Sequence, residues 1–256
     1  MNRRDPTASE TIVVPGRNPV LEVIRAGWPV REVLTSVARA DERIQRVIEA
    51  CSARGIPVRS ATADELSRLA GKAHHQGIVA LCGPASYADL EEGFRRAERA
   101  GEPPFFALLD SIEDPRNLGA ILRCADAAGV HGVVIPKHRA TGLTPAVAKA
   151  SAGAFAHVPV IRVTNLVRAA VELRERGLWL VAAVPEGGQE LWRSRLTGPV
   201  AVVIGGEDKG IRRLLLETCD FSVRIPMFGR VPSLNASVAA ALLFYEVRRQ
   251  RTMQSP

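Results

Sequence analysis

Beyond residue 104 the chain alternates short unbroken apolar runs with longer stretches in which apolar residues recur every three or four positions. The runs at 105–109, 132–135, 158–161, 179–184, 200–204 and 222–225 predict strands. A β-branched run such as 200–204 shows no polar face, which predicts strands buried on both sides of a parallel sheet flanked by helices. Residues 12–84 carry the same alternation on a smaller scale. Strands are expected at 12–14, 33–34, 57–58 and 78–82, and helices at 20–26, 43–53 and 63–69. Between the two blocks, residues 85–104 are charged and helix-forming, end on Gly101 and a Pro pair, and predict a partly helical linker. The expected organisation is a tail over 1–11, a small α/β domain over 12–84, the linker, and a larger α/β domain over 105–250.

Composition changes this picture in one respect. The net charge of +7 is carried almost wholly by arginine, since only Lys72, Lys137, Lys149 and Lys209 supply ammonium groups. Arginine's planar fork matches paired phosphate oxygens, so the surface suits a polyanion such as RNA. Charge alone is explained as well by a compositional bias toward arginine. Cys51, Cys82, Cys124 and Cys219 form no CxxC pair, and no histidine stands at ligand spacing, so neither a disulfide framework nor a metal site is expected. The first ten residues lack an apolar core, and no later run reaches the length of a membrane span, which predicts a cytoplasmic protein.

Three segments carry candidate chemistry. The first, Asn-Leu-Gly-Ala-Ile-Leu-Arg at 117–123, follows an acidic loop with Asp110, Glu113 and Asp114. A helix starting near Pro115 or Asn117 would place Leu118, Ile121, Leu122 and Ala125 on one buried stripe. Arg123 would then lie roughly 140° from Leu118, beside Arg116, and both would face away from the core. A solvated helix face explains one such arginine; two on a stripe after an acidic loop point to a site.

The second segment, Gly-Gly-Glu-Asp-Lys-Gly at 205–210, directly follows the strand at 200–204. Paired glycines there permit close backbone approach to a ligand. Neither GxGxxG nor a P-loop is present, and the carboxylate of Glu207 inside the loop repels phosphate. A ligand without phosphate, carrying positive charge, fits better; a plain surface turn is the bland alternative. The third, Ser-Leu-Asn-Ala-Ser at 233–237, predicts a helix capped by Ser233, with Asn235 in its first turn and an apolar face of Leu234, Val238, Ala241, Leu242 and Tyr245.

In order and spacing these segments resemble the three motifs of the SpoU family of RNA ribose 2'-O-methyltransferases, within the SPOUT superfamily. The resemblance implies S-adenosylmethionine as cofactor, a trefoil knot near the C-terminus where chain-path rules alone favour an open doubly wound sheet, and a homodimer that completes the site. It implies that Asn117, Arg123, Glu207, Ser233 and Asn235 belong to the catalytic pocket, and that Gly205, Ile225 and Leu234 contact the cofactor. Asp208 stands where relatives commonly carry Gly. The segment His75-Gln76-Gly77-Ile78 resembles an L30e-like substrate-binding domain, which assigns His75 and Gln76, with Arg116, to RNA. Similarity over 109–122, 125–136 and 158–166 points to the branch that methylates a guanosine in the peptidyl-transferase P loop of 23S rRNA, free or in a ribosomal precursor. Another rRNA site, tRNA, and a non-catalytic RNA-binding or ribosome-assembly protein are the alternatives; a phosphate-cofactor oxidoreductase is more distant still.

Overall fold

The computed structural model describes residues 11–25, 27–36, 42–83, 86–207 and 209–253. They form two compact units: residues up to Ser86 together with Leu143–His157, and Tyr87–Gly142 together with the chain from Val158 on.

The first unit holds β1 (Ile12–Pro15), α1 (Arg17–Arg25), β2 (Val30–Thr35), α2 (Glu42–Ser52), β3 (Val58–Ser60), α3 (Ala63–Ala70) and β4 (Ile78–Cys82). Its sheet has the order β1-β4-β2-β3, with β4 antiparallel to both neighbours and β3 parallel to β2. Thr62 caps α3 by accepting the Glu65 N–H at 3.2 Å, which turns Leu66 inward onto Leu34 and Val79. The excursion at 143–157 adds α6 (Pro145–Ala150), which packs on β1, and a short turn whose Phe155 ring lies 4.6 Å from that of Trp28.

The second unit is a seven-stranded sheet of β5 (Phe105–Asp110), β6 (Gly132–Pro136), β7 (Val160–Val163), β8 (Trp179–Ala183), β9 (Gln189–Glu190), β10 (Val200–Gly205) and β11 (Phe221–Arg224). Every pairing in the order β7-β6-β5-β10-β8-β11-β9 is parallel. All six residues of β5 are buried, as continuous apolar runs in a two-sided sheet require. Helices α4 (Leu90–Ala100), α5 (Pro115–Ala127), α7 (Leu166–Glu175), α8 (Arg213–Thr218) and α9 (Ala236–Thr252) complete the unit. The segment expected as a partly helical linker supplies α4, and it lies on the sheet: a Cβ on Gly93 would stand 2.5 Å from the Phe106 ring.

Two features place the site. In the β5–β10 register Gly205 stands opposite Asp110, so the loops leaving these strands are neighbours at the carboxyl edge of the sheet. Helix α9 packs on α5, which carries its first turn to the same edge. The face that α9 uses differs from expectation. Ala236, Ala240, Leu243, Phe244 and Val247 are buried, with Phe244 edge-on to Phe105 at 5.8 Å, whereas Val238 is 47% and Tyr245 52% exposed. Apolar residues surround this helix almost completely, so periodicity could not select the packed stripe.

Candidate active site

The chain leaves β5 through Ser111, a non-glycine residue at φ 62°, and enters α5 at Asp114. Asp114 is the cap: its Oδ1 accepts the Arg116 N–H at 2.7 Å, and Pro115 follows as first helical residue. Asn117 is therefore not a cap, and its amide is free to act elsewhere. Arg116 folds back on Asp114 at 2.7 Å, and that guanidinium holds the Asp114 carboxyl below its ordinary range. Arg123 is exposed, with no ion pair among the described residues.

The loop after β10 closes tightly. Gly206 N–H donates to the Asp110 carbonyl at 2.8 Å, and Gly210 N–H to the Gly206 carbonyl at 2.9 Å. A Cβ on Gly205 would lie 2.1 Å from the Gly210 carbonyl carbon, and one on Gly206 would lie 2.3 Å from the Ser111 oxygen. Both glycines are thus required by space. Asp208 lies outside the described residues. At the third motif Asn235, not Ser233, caps α9: its Oδ1 accepts the Ser237 N–H at 3.0 Å. Ser233 is exposed in the preceding loop and lines a cavity at this edge of the sheet.

Long-range folding brings three of the expected residues together. Asn117 Nδ2 donates to Glu207 Oε1 at 3.0 Å; Asn235 Nδ2 donates to Asn117 Oδ1 at 3.0 Å and also to Glu207 Oε1. The Glu207 carboxylate is thus gripped by two neutral amides, one from each helix start, and keeps lone pairs for a further donor.

Beside this triad lies a cavity of about 540 Å³, a size usual for a small-ligand site. Its wall includes Gly205, Glu207, Ile225, Ser233 and Leu234, together with Ile204 and Glu186. A second cavity, of about 140 Å³, is lined by Ser111, Glu113, Asp114, Asn117, Gly206, Glu207 and Lys209, so Gly206, Glu207 and Lys209 border both. Aliphatic walls suit a flat base, close glycine backbone admits it, and two carboxylates against the single ammonium of Lys209 favour a cation over a phosphate. The residues present therefore fit S-adenosylmethionine.

His75 and Gln76 belong to the first unit. His75 Nδ1 accepts the Gly77 N–H at 3.1 Å, and the exposed Gln76, at φ 52°, receives the Arg17 N–H on Oε1 at 3.2 Å. Among the described residues no cluster of three or more His, Cys, Asp or Glu could hold a metal ion, and no helix is long and apolar enough to cross a membrane. Sequence reasoning missed the partnership of Asp110 with Arg212, whose Nε donates to Oδ1 at 2.8 Å. The only available signal was an acidic residue at a strand's carboxyl end.

Residues 104–245 match the SpoU rRNA Methylase family, and residues 13–88 match the RNA 2'-O ribose methyltransferase substrate-binding family. A Bacillus subtilis protein, YacO, assigned to the TrmH family of tRNA/rRNA methyltransferases, is 44% identical over 92% of this chain and 94% of its own. The crystal structure of the SpoU methyltransferase AviRb from Streptomyces viridochromogenes with AdoMet superposes with a TM-score of 0.80 at 28% identity, covering 98% of this chain and 94% of that one. The A. aeolicus TrmH/SpoU tRNA-modifying enzyme superposes with a TM-score of 0.55 at 27% identity, over 64% of this chain and 85% of its own. The chain belongs to the SpoU methylase family. It is an S-adenosylmethionine-dependent RNA methyltransferase that acts on the ribose 2'-hydroxyl of rRNA or tRNA.

Proposed function

We propose that this enzyme methylates a ribosomal RNA, with a guanosine 2'-hydroxyl in the P loop of 23S rRNA, free or in an assembling ribosomal particle, as its target. The observation that carries the rRNA reading is the separate first unit matched at 13–88 by the substrate-binding family, since the tRNA-modifying structure corresponds to only 64% of the chain. That relatives are named for both RNA classes supports tRNA, or another rRNA site, as the second reading. The first unit, proposed to be L30e-like, offers His75 and Gln76 to the RNA, and Arg116 adds a cation from the second unit.

Held in the larger cavity by Gly205, Ile225 and Leu234, S-adenosylmethionine supplies an electrophilic methyl group on a cationic sulfur. Asn117 and Asn235 fix the Glu207 carboxylate at the border of the two cavities. There it can accept from a substrate hydroxyl and hold it in line, with Ser233 on the same wall. Arg123 stabilises the charge that develops on the 2'-oxygen. Its part is electrostatic: a delocalised cation beside the 2'-oxygen favours the anionic form.

The site is completed by a second copy of the chain. Supporting this, α9 leaves Val238 and Tyr245 exposed, and the loop before it leaves Val231 exposed and Phe228 97% exposed. A homodimer covering this face would put Arg123 of one copy beside the cofactor of the other. The trefoil knot fits a cavity walled by successive loops at 183–186, 204–211 and 225–234, the last returning through α9 to α5. A cytoplasmic setting suits four free thiols and an RNA target.

The deciding experiment is methyl transfer from labelled S-adenosylmethionine to protein-free 23S rRNA, to assembling ribosomal particles and to bulk tRNA, with nucleotide-resolution mapping. One methylated P-loop guanosine is expected. Modification of tRNA alone would replace the rRNA reading.

A further inference from the structure

Asp110, the last residue of β5, has no exposed surface and lines neither cavity. A buried carboxylate is tolerated only when its oxygens are paired. Here the partner is Arg212, which donates its main-chain N–H to Oδ2 at 2.8 Å and its Nε–H to Oδ1 at 2.8 Å; Ser111 Oγ adds a longer contact at 3.3 Å. Arg212 is the residue at which the chain leaves the glycine loop and enters α8. At the other end of that loop, the main-chain carbonyl of the same Asp110 accepts the Gly206 N–H at 2.8 Å.

One residue therefore ties both ends of the loop to the edge of β5. The segment so tied carries Glu207 and contributes Gly205, Gly206, Lys209, Gly210 and Ile211 to the larger cavity. It has little slack, because the Gly205 α-carbon backs onto the Gly210–Ile211 peptide so closely that a Cβ would stand 2.4 Å from the Ile211 nitrogen.

We infer that the Asp110–Arg212 pair is a positioning latch: it sets the shape of the 205–211 loop, and through it the cofactor cavity and the place of Glu207. Breaking the latch frees the carboxyl-terminal end of the loop while leaving the parallel ladder between β5 and β10 intact. The consequence falls on cofactor affinity before it falls on the fold. The inference rests on the family's cofactor and not on which RNA is methylated. It differs from a surface role for Arg212, whose side chain is 42% exposed and could touch RNA, because Asp110 can touch neither RNA nor cofactor.

The test compares Asp110→Asn, Arg212→Ala, Arg212→Lys and the Asp110→Asn/Arg212→Ala double variant. S-adenosylmethionine dissociation constants are measured by calorimetry, and hydrogen–deuterium exchange of the 205–212 amides is measured in the cofactor-free protein. Both Asp110→Asn and Arg212→Ala are expected to weaken cofactor binding by about tenfold or more, because small misplacements of a binding wall are costly. Exchange should rise at Arg212, whose N–H the Asp110 carboxylate holds, more than at Gly206, whose partner is main chain. The double variant should bind no worse than the weaker single one, since both remove the same link. Both Arg212 variants keep the main-chain bond to Asp110, but Arg212→Lys also keeps a positive donor for the carboxylate and should recover most of the affinity. Arg212→Ala alone carries the test if Asp110→Asn fails to fold. Parental affinity and exchange in Arg212→Ala would overturn the latch, as would additive losses in the double variant. A defect confined to the KM for RNA, with cofactor binding intact, would make Arg212 an RNA contact instead. Should the parent bind no S-adenosylmethionine, the exchange measurement would still report on the latch while the cofactor assignment failed.

Discussion

Asn117 and Glu207, 90 residues apart in sequence, share a hydrogen bond of 3.0 Å, and Asn235 closes the triangle from a third segment. The carboxylate is oriented by two amides that belong to the first turns of two different helices. That arrangement separates fold from chemistry, because each asparagine can be altered in ways that spare its helix.

Asn235 has two jobs that substitution can divide. Asn235→Asp keeps the oxygen that caps α9 but loses the amide donor and sets a second carboxylate against Glu207. Stability should change little in denaturant unfolding, while kcat falls at least tenfold. Asn235→Ala should also lose about 1 kcal/mol of stability with the cap. Equal activity in Asn235→Asp and the parent would remove the triad from the mechanism.

Arg123 faces away from its own core and pairs with no carboxylate among the described residues. Arg123→Ala should therefore unfold within about 0.5 kcal/mol of the parent. It should bind S-adenosylmethionine normally and lose methyl transfer by about 10²-fold or more, as expected for a group that stabilises developing charge. Retained turnover would show that this arginine is only a solvated face.

Gly205 admits no side chain. A Cβ would lie 2.1 Å from main-chain carbon, and main chain cannot yield as a flexible side chain can. Gly205→Ala should abolish measurable cofactor binding in a calorimetric titration and lower the melting temperature. Gly198→Ala, where a Cβ meets nothing within 4 Å, serves as the control.

Acid should destabilise the second unit in two steps. Burial pushes the His131 imidazole down to about 4, against the pull of Glu102 and with Arg251, Arg96 and Arg248 nearby opposing a further charge. The geometry agrees, since His131 Nδ1 accepts the Phe105 N–H at 3.0 Å and must be unprotonated. Between about pH 6.5 and 4 the unfolded chain gains a proton that the folded one refuses. Stability is thus full above this window and falls by roughly 3 kcal/mol as pH drops through it. Glu102, held below its usual range chiefly by its hydrogen bond to Arg248, adds a loss at lower pH as it protonates. Denaturant unfolding at pH 7.5, 6 and 5 should show the first step, and His131→Gln should flatten it.

RNA docking should weaken steeply with salt, because a chain of net charge +7 rich in arginine releases counterions when it covers phosphates. Filter binding across a salt series measures the slope. A flat response would mean that the basic surface is not the docking face.

Local patterning alone determined the strands of both units except the two-residue β9, and the parallel character of the larger sheet, because unbroken runs such as 105–109 and 200–204 have no polar face to turn outward. It also located the three motif segments, since glycine pairs and capping residues act over a few neighbouring positions. The packed side of α9 was illegible, because Val238 and Tyr245 look no less apolar than Leu243 and Phe244; only the approach of α5 and β5 selects between them. The cap of α9 was misread because Ser233 and Asn235 can each start a helix; in the structure the Asn235 oxygen caps α9 while its amide reaches Glu207. Tertiary structure alone decided that Asn117, Glu207 and Asn235 meet, and that Asp110 closes on Arg212. Strand order in a parallel sheet is set by packing across long crossovers, and it was the adjacency of β5 and β10 that turned separate motifs into one site.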